Sequence, residues 1–159
     1  MVHGGMHSVV RSRAFSLVEL VMVIGIISVI AAIAIPAYAR SLQRYAIDAA
    51  AQRIVSDLAF AQNLANSTSS TQAVSFAPAS ATYQVAGMPD PDHLLSAYTV
   101  NLAATYSGVA LQSANFAGLT QISFDGYGVP KQGGTVVLVL GDLQRTITVD
   151  ISTGKATVQ

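Results

Sequence analysis

The chain has 159 residues, enough for one domain of ordinary size, and its eight basic and eight acidic residues cancel to a formal charge of zero. That balance argues against a general polyanion binder. Charged residues make up only 10% of the chain and the mean hydropathy is +0.49. Such a chain is too apolar for disorder and unusually apolar for a fully soluble protein. It has no cysteine, which excludes disulfides, thiolate nucleophiles and cysteine-ligated metal centres.

The most informative stretch is an uncharged run of 20 residues, Leu20 to Ala39, dominated by Val, Ile and Ala. As a helix it covers roughly 30 Å at about 1.5 Å per residue, which is the thickness of a bilayer core. Arg11 and Arg13 precede it, and basic flanks stay on the cytoplasmic side. The pattern predicts a single membrane span with the N-terminus in the cytoplasm and the remainder of the chain outside it.

The alternative is a soluble exported protein whose signal peptide is cut after Ala39, because the segment from Pro36 to Ala39 ends in a small-x-small pattern. Two features argue against it. A signal needs an apolar region of only about 7 to 15 residues, and this run is longer. Glu19 also lies at its leading edge, where a carboxylate costs on the order of 2.5 to 3.5 kcal/mol on insertion scales, so a partner and a function are expected for it.

Residues 13–20, of sequence RAFSLVEL, together with the apolar run, resemble the processing site of type IV prepilins and type II secretion pseudopilins. The resemblance implies cleavage by a prepilin peptidase between Ala14 and Phe15 and methylation of the new N-terminus at Phe15. Glu19 then becomes the fifth residue of the mature chain. Ala14 stands where the family usually has Gly. The implied leader is 1–14 and the implied transmembrane and filament-core helix is 15–39.

The resemblance assigns Glu19 a role in assembly. A cationic amine at Phe15 neutralises a carboxylate in a low-dielectric setting, within one subunit or between neighbours. A subunit docked at the wrong axial position leaves that carboxylate unpaired. The implied partners are membrane lipid, other pilins or pseudopilins, the prepilin peptidase and an inner-membrane assembly platform.

The helix is predicted to continue beyond the membrane. Gly25 and Pro36 interrupt the apolar run, and a kink is expected near Pro36 because proline removes a backbone hydrogen bond. Residues 40–67 then form an amphipathic helix. Its apolar face comprises Ile47, Ala51, Ile54, Leu58, Ala61 and Ala65. The pairs Arg44 with Asp48 and Arg53 with Asp57 are four residues apart and are interpreted as solvated faces.

Residues 68–159 are predicted to form a β-rich domain, which makes the fold class α+β: a long N-terminal helix packed on an antiparallel sheet. The short polar residues 66–71 are expected to end the helix. Predicted strands are Gln72–Phe76, Thr82–Val85, Tyr98–Leu102, Gln121–Phe124, Thr135–Leu140, Arg145–Ile151 and Ala156–Val158. In the strand from Arg145, one face carries Ile147, Val149 and Ile151. Segments 87–96 and 103–118 are predicted to be loops.

This outer region resembles the GspH/FimT family of minor pseudopilins and minor pilins. The matching stretches are LAFAQ at 58–62, VSF at 74–76, ISFDG at 122–126 and RTITV at 145–149. The resemblance implies a pilin-like fold and a structural subunit for filament initiation or the filament tip. It fits a type II secretion pseudopilus and a type IV pilus equally. The protein is then expected in the bacterial inner membrane, with the outer domain in the periplasm, and afterwards in the filament.

No catalytic constellation is present, so no enzyme activity and no cofactor are predicted. His3 and His7 fall in the leader. Asp90, Asp92 and His93 could form a metal site, but a solvated turn is the favoured interpretation. Asp125-Gly126 is interpreted as a β-turn. A DNA-binding minor pilin for uptake is a further alternative. It is disfavoured because the basic residues beyond position 66 number three against five acidic ones.

Overall fold

A computed structural model of the chain describes residues 16–89 and 97–159. It has two compact units, Met1–Ala39 and Arg40–Gln159. Helix α1 (Leu17–Thr68) contributes to both units, and all the strands belong to the second. The predicted leader, the cleavage site between Ala14 and Phe15, and the residues Asp90, Asp92 and His93 lie outside the described residues.

The amphipathic part of α1 is confirmed residue by residue. The predicted apolar face is at most 1% exposed, because spacings of three and four place these side chains on one side of the helix. Ala50 joins this face and is fully buried. The helix ends at Thr68, later than the polar run suggested. The hydroxyls of Ser67 and Thr68 donate to the carbonyl of Leu64, so they support the last turn before Ser69 takes a positive φ.

Within the described residues, eight strands and one short helix follow α1. They are β1 (Gln72–Ala77), β2 (Thr82–Pro89), β3 (Ala97–Asn101), α2 (Leu102–Thr105), β4 (Ala110–Asn115), β5 (Gln121–Phe124), β6 (Gly134–Leu140), β7 (Leu143–Val149) and β8 (Ala156–Val158). A 3₁₀ turn at Pro78–Ser80 separates β1 from β2. The first sheet has the order β3-β2-β1-β5 and the second has the order β4-β6-β7-β8. Every pairing is antiparallel.

The predicted α+β class with an antiparallel β domain is therefore confirmed, and its strands are divided between two four-stranded sheets. The two predicted loops were partly wrong. Segment 103–118 contains most of α2 and the whole of β4. In segment 87–96, Gly87, Met88 and Pro89 belong to β2. The predicted strand from Arg145 also ends earlier: Ile151 lies in a turn and is 58% exposed, whereas Ile147 and Val149 are buried.

A single hydrophobic core joins the helix to both sheets within the second unit. Phe76 of β1 stacks on Phe116, which follows β4, with ring centroids 5.7 Å apart. Phe76 also packs against Tyr83 of β2 at 5.8 Å. Because Phe76 lies in the first sheet and Phe116 directly follows β4 of the second sheet, their contact helps to tie the sheets together.

Candidate assembly site

The first part of α1 is an apolar surface that nothing in the described chain covers. One helix among the described residues, α1, is long and apolar enough to cross a membrane. The large apolar side chains in this part of α1 are all exposed, from 44% at Val23 to 77% at Leu17. These side chains are Leu17, Val18, Leu20, Val21, Met22, Val23, Ile24, Ile26, Ile27, Val29, Ile30, Ile33, Ile35 and Tyr38. A helix that is apolar on all sides needs lipid or other protein around it.

Glu19 lies in the first turn of α1 and is exposed. A carboxylate is favoured there by the positive end of the helix dipole. Among residues 16–89 and 97–159, the ion pairs are Arg53–Asp57 and Arg145–Asp48. Neither pair includes Glu19, so within the described part of the chain its carboxylate has no cationic partner. Its pairing with the amine of Phe15 remains a prediction.

Gly25 and Pro36 both lie within the assigned helix, which continues through them. A Cβ at Gly25 would meet nothing within 4 Å. Nothing among the described residues therefore requires glycine at that position, and close approach by another helix is one physical use for it. The kink near Pro36 remains a prediction.

A polar cluster on the outer half of α1 was not foreseen. Asp57 accepts a hydrogen bond from the hydroxyl of Tyr83 at 2.5 Å and one from Arg53 Nε at 3.2 Å. Arg53 donates a second bond, from Nη2, to the hydroxyl of Tyr98. Its guanidinium also lies over the Tyr98 ring, 5.8 Å from the centroid. Interpreting Arg53 and Asp57 as a merely solvated pair was wrong, because together they attach the helix to strands β2 and β3.

The pKa values of this cluster follow its geometry. Burial raises the pKa of Tyr83 well above its usual range, and the hydrogen bond to Asp57 adds to that effect. The hydrogen bond to Tyr98 raises the pKa of Arg53. The tyrosine hydroxyl therefore stays protonated and the arginine stays charged at any physiological pH.

The other predicted pair is rearranged. Asp48 accepts a hydrogen bond from Arg145 Nε of β7 at 2.6 Å and forms its ion pair there instead of with Arg44. The partners are 97 residues apart in sequence, so helical spacing alone could not reveal them. The positive charge of Arg145 is therefore balanced by Asp48, which weakens its attraction for a phosphate.

Gln62 fixes two loops at once. Its Nε2 donates to the carbonyl of Gly128, in the β5–β6 loop, and to that of Thr153, in the β7–β8 loop, each at 2.8 Å. Gly128 and Gly154 both have positive φ. A Cβ at Gly154 would lie 2.5 Å from Gln62 Nε2, so glycine is needed there both for the backbone conformation and for space.

The structure also shows how the acidic residues in the described part of the chain are arranged. Asp125 Oδ1 accepts from the backbone amides of Tyr127 and Val129, which confirms the turn interpretation of Asp125-Gly126. The described residues hold no group of three or more His, Cys, Asp or Glu that could bind a metal ion.

The architecture is similar to that of a solved minor pilin, the type IV minor pilin FimU of Pseudomonas aeruginosa (strain PAO1). One crystal structure superposes with a TM-score of 0.55 at 11% identity, covering 73% of this chain and 90% of that chain. Another crystal form gives a TM-score of 0.52 at 10% identity, covering 70% and 91%. A long N-terminal helix whose C-terminal part packs on antiparallel sheets therefore defines a pilin-like fold.

The sequence places the chain more narrowly within that class. Residues 50–154 match the family model described as type II transport protein GspH, which covers well over half of the chain, so the chain belongs to the GspH family. This is a family of structural pilin and pseudopilin subunits. No curated protein matches the sequence.

Proposed function

We propose that the protein is a structural minor subunit that takes part in the initiation or tip assembly of a type II secretion pseudopilus or a type IV pilus. The observation that carries this proposal is the uncovered apolar part of α1, with Glu19 in its first turn, in a chain of the GspH family. The family description refers to type II transport and the similar structures are of a type IV minor pilin. The proposal is therefore limited to the role that a minor subunit has in both machines, in filament initiation or tip assembly.

In this proposal the precursor inserts into the inner membrane with its N-terminus in the cytoplasm. The prepilin peptidase cuts between Ala14 and Phe15, and Phe15 is methylated. The amine of Phe15 then neutralises Glu19 in the apolar interior of the filament, where an unpaired carboxylate is costly. The assembly platform drives docking, and the other pilin helices cover the apolar surface that lipid covered before.

A role in DNA uptake has less support. Binding to a duplex requires several cations within reach of phosphates. Beyond residue 66 the cations are Lys131, Arg145 and Lys155, and Arg145 is engaged with Asp48.

The first test is the intact mass and N-terminal residue of the protein recovered from membranes of a host that has its prepilin peptidase. We expect a mature chain that starts at a methylated Phe15. A start at Arg40 would mean that the apolar run is a discarded signal, and the filament proposal would then be wrong. A peptidase-deficient host is the control, and there the leader should be retained.

A further inference from the structure

A hollow of about 350 Å³ lies at the start of the second unit, between α1 and the β6–β7 turn. Its lining residues are Arg40, Gln43, Arg44, Asp142 and Leu143. The lining residues on the helix are two arginines and a glutamine, and those on the other side are Asp142 of the turn and Leu143, the first residue of β7. The hollow therefore presents two positive charges and one negative charge to whatever enters it.

These charges are not satisfied by one another in the part of the chain that the structure describes. The ion pairs there are Arg53–Asp57 and Arg145–Asp48. Asp48, four residues after Arg44, is paired with Arg145 and not with Arg44. Arg40 and Arg44 are themselves four residues apart on one side of the helix, where like charges repel. An anion between them removes that repulsion.

The position of the hollow along the chain favours a lipid. Arg40 is the first charged residue after the 20-residue apolar run. Tyr38 and Tyr45, on either side of it in sequence, are 68% and 76% exposed. Exposed tyrosines at the end of an apolar run are typical of the headgroup level of a membrane. In a subunit inserted as proposed above, the two arginines would therefore fall at the depth of the lipid phosphates.

We infer that this hollow binds the headgroup of a phospholipid that carries a phosphate and a primary amine, as phosphatidylethanolamine does. The planar guanidinium groups of Arg40 and Arg44 match phosphate oxygens in bidentate geometry. Asp142 accepts hydrogen bonds from the ammonium group. A quaternary ammonium has no hydrogen to donate to Asp142, and a glycerol headgroup has no positive charge there. A bound lipid holds the subunit at one depth before assembly.

This inference rests on the proposed function because it requires the intact apolar segment to insert into a membrane. The test uses the full chain in nanodiscs with equal parts phosphatidylethanolamine, phosphatidylcholine and phosphatidylglycerol. The lipids that remain on the protein are counted by native mass spectrometry. The variants are R40Q/R44Q and D142N, and K131Q is the control, since Lys131 is an exposed cation outside the hollow.

For the wild type we expect phosphatidylethanolamine to be retained over both other lipids. R40Q/R44Q should retain at least about tenfold less of it, because a hydrogen bond between two charged groups is stronger than one between neutral groups. D142N should keep phosphate binding but lose the preference over phosphatidylcholine, and K131Q should behave as the wild type. Thermal unfolding of each variant checks that the fold is intact.

Three results would overturn the inference: equal retention of all lipids by the wild type, preferential retention of phosphatidylglycerol, or unchanged retention in R40Q/R44Q. All three leave the proposed function standing, because the protein has entered the bilayer in each. A wild type that fails to enter nanodiscs of any composition would contradict the membrane-inserted precursor itself, and both proposals with it.

Discussion

The two parts of α1 show how one helix is stabilised in two different ways. Ile30 and Ile54 are the same residue type in the same helix, but Ile30 is 61% exposed and Ile54 is fully buried. Around Ile30 the sequence is apolar on every side, whereas around Ile54 apolar residues occupy one face. Burying such a side chain contributes about 1.5 to 3 kcal/mol. Around Ile54 that free energy stabilises the protein's own fold, and around Ile30 it is available only from lipid or other subunits.

The sharpest test of this difference is Glu19→Val. We expect membrane insertion and processing to remain intact while incorporation into filaments is lost, because this variant cannot form the charge pair that we propose sets the register. The measurement is the amount of protein in sheared filaments relative to that in membranes. Ser28→Val is the matched control: Ser28 already satisfies its hydroxyl on the carbonyl of Ile24 at 2.7 Å, so its loss should leave incorporation normal. Normal incorporation of Glu19→Val would contradict the proposal that pairing of Glu19 sets the axial position of the subunit.

The comparison of isoleucines can be tested directly by thermal unfolding of the full chain in detergent. Ile54→Ala should lower the free energy of unfolding of the β domain by about 2 to 5 kcal/mol, since it leaves a cavity in the core. Ile30→Ala should change it by less than about 0.5 kcal/mol. Similar effects from the two substitutions would refute the view that only the outer part of the helix stabilises the fold.

Tyr83→Phe tests the attachment of the helix to the first sheet. It removes the donor to Asp57, a partly buried carboxylate, and should lower the free energy of unfolding by about 1 to 3 kcal/mol. Tyr127→Phe, at a residue 85% exposed, is the control and should have almost no effect.

The same substitution carries a pH signature. Burial and the bond to Asp57 raise the pKa of Tyr83 above its ordinary value of 10.0, so the folded state holds this proton more tightly than the unfolded state. The stabilisation is complete below pH 10.0 and decreases as the pH rises further. Above that pH, wild-type stability should fall more steeply than that of Tyr83→Phe. Parallel pH profiles would mean that Tyr83 does not contribute.

The smallest expected effect concerns the loops fixed by Gln62. Gly154→Ala and Gly108→Ala both place alanine at positive φ, which costs about 1 to 2 kcal/mol. A Cβ at Gly108 meets nothing within 4 Å, whereas one at Gly154 displaces Gln62. Gly154→Ala should therefore be less stable than Gly108→Ala by about 1 kcal/mol, the net value of a lost hydrogen bond. Denaturant unfolding measures this difference, and equal stability would show that the Gln62 bonds contribute nothing.

The sequence was sufficient to predict features with a strong local pattern. The buried face from Ile47 to Ala65 follows from helical spacing, and β5 and β8 were predicted with their observed bounds. Strand β4 was missed because its sequence, ALQSAN, has no β-branched or aromatic residue. A register shift between Leu111 and Ser113 also interrupts its alternation. Gly87 and Pro89 were likewise included in a predicted loop, whereas β2 accommodates them at a register shift.

The long-range polar contacts could not be predicted in the same way. Asp57 lies 26 residues from Tyr83 and Asp48 lies 97 residues from Arg145. Tyr83 fits a strand pattern equally well with or without a buried partner for its hydroxyl. Only the packing of the helix against the sheets brings these groups together, so the spacing of the charges on α1 led to the wrong partner for Asp48.

The buried hydrophobic core described above begins at Ile47, so the residues that stabilise the fold are separate in sequence from the exposed apolar segment 17–39 of α1. If the protein acts as proposed, substitutions in the apolar segment adapt the subunit to a different bilayer or different neighbours without disturbing the fold. Substitutions in the β domain then reshape its exposed surface without altering membrane insertion. Such separation makes the chain a natural candidate for chimeras in which one outer domain is carried by the helix of another filament.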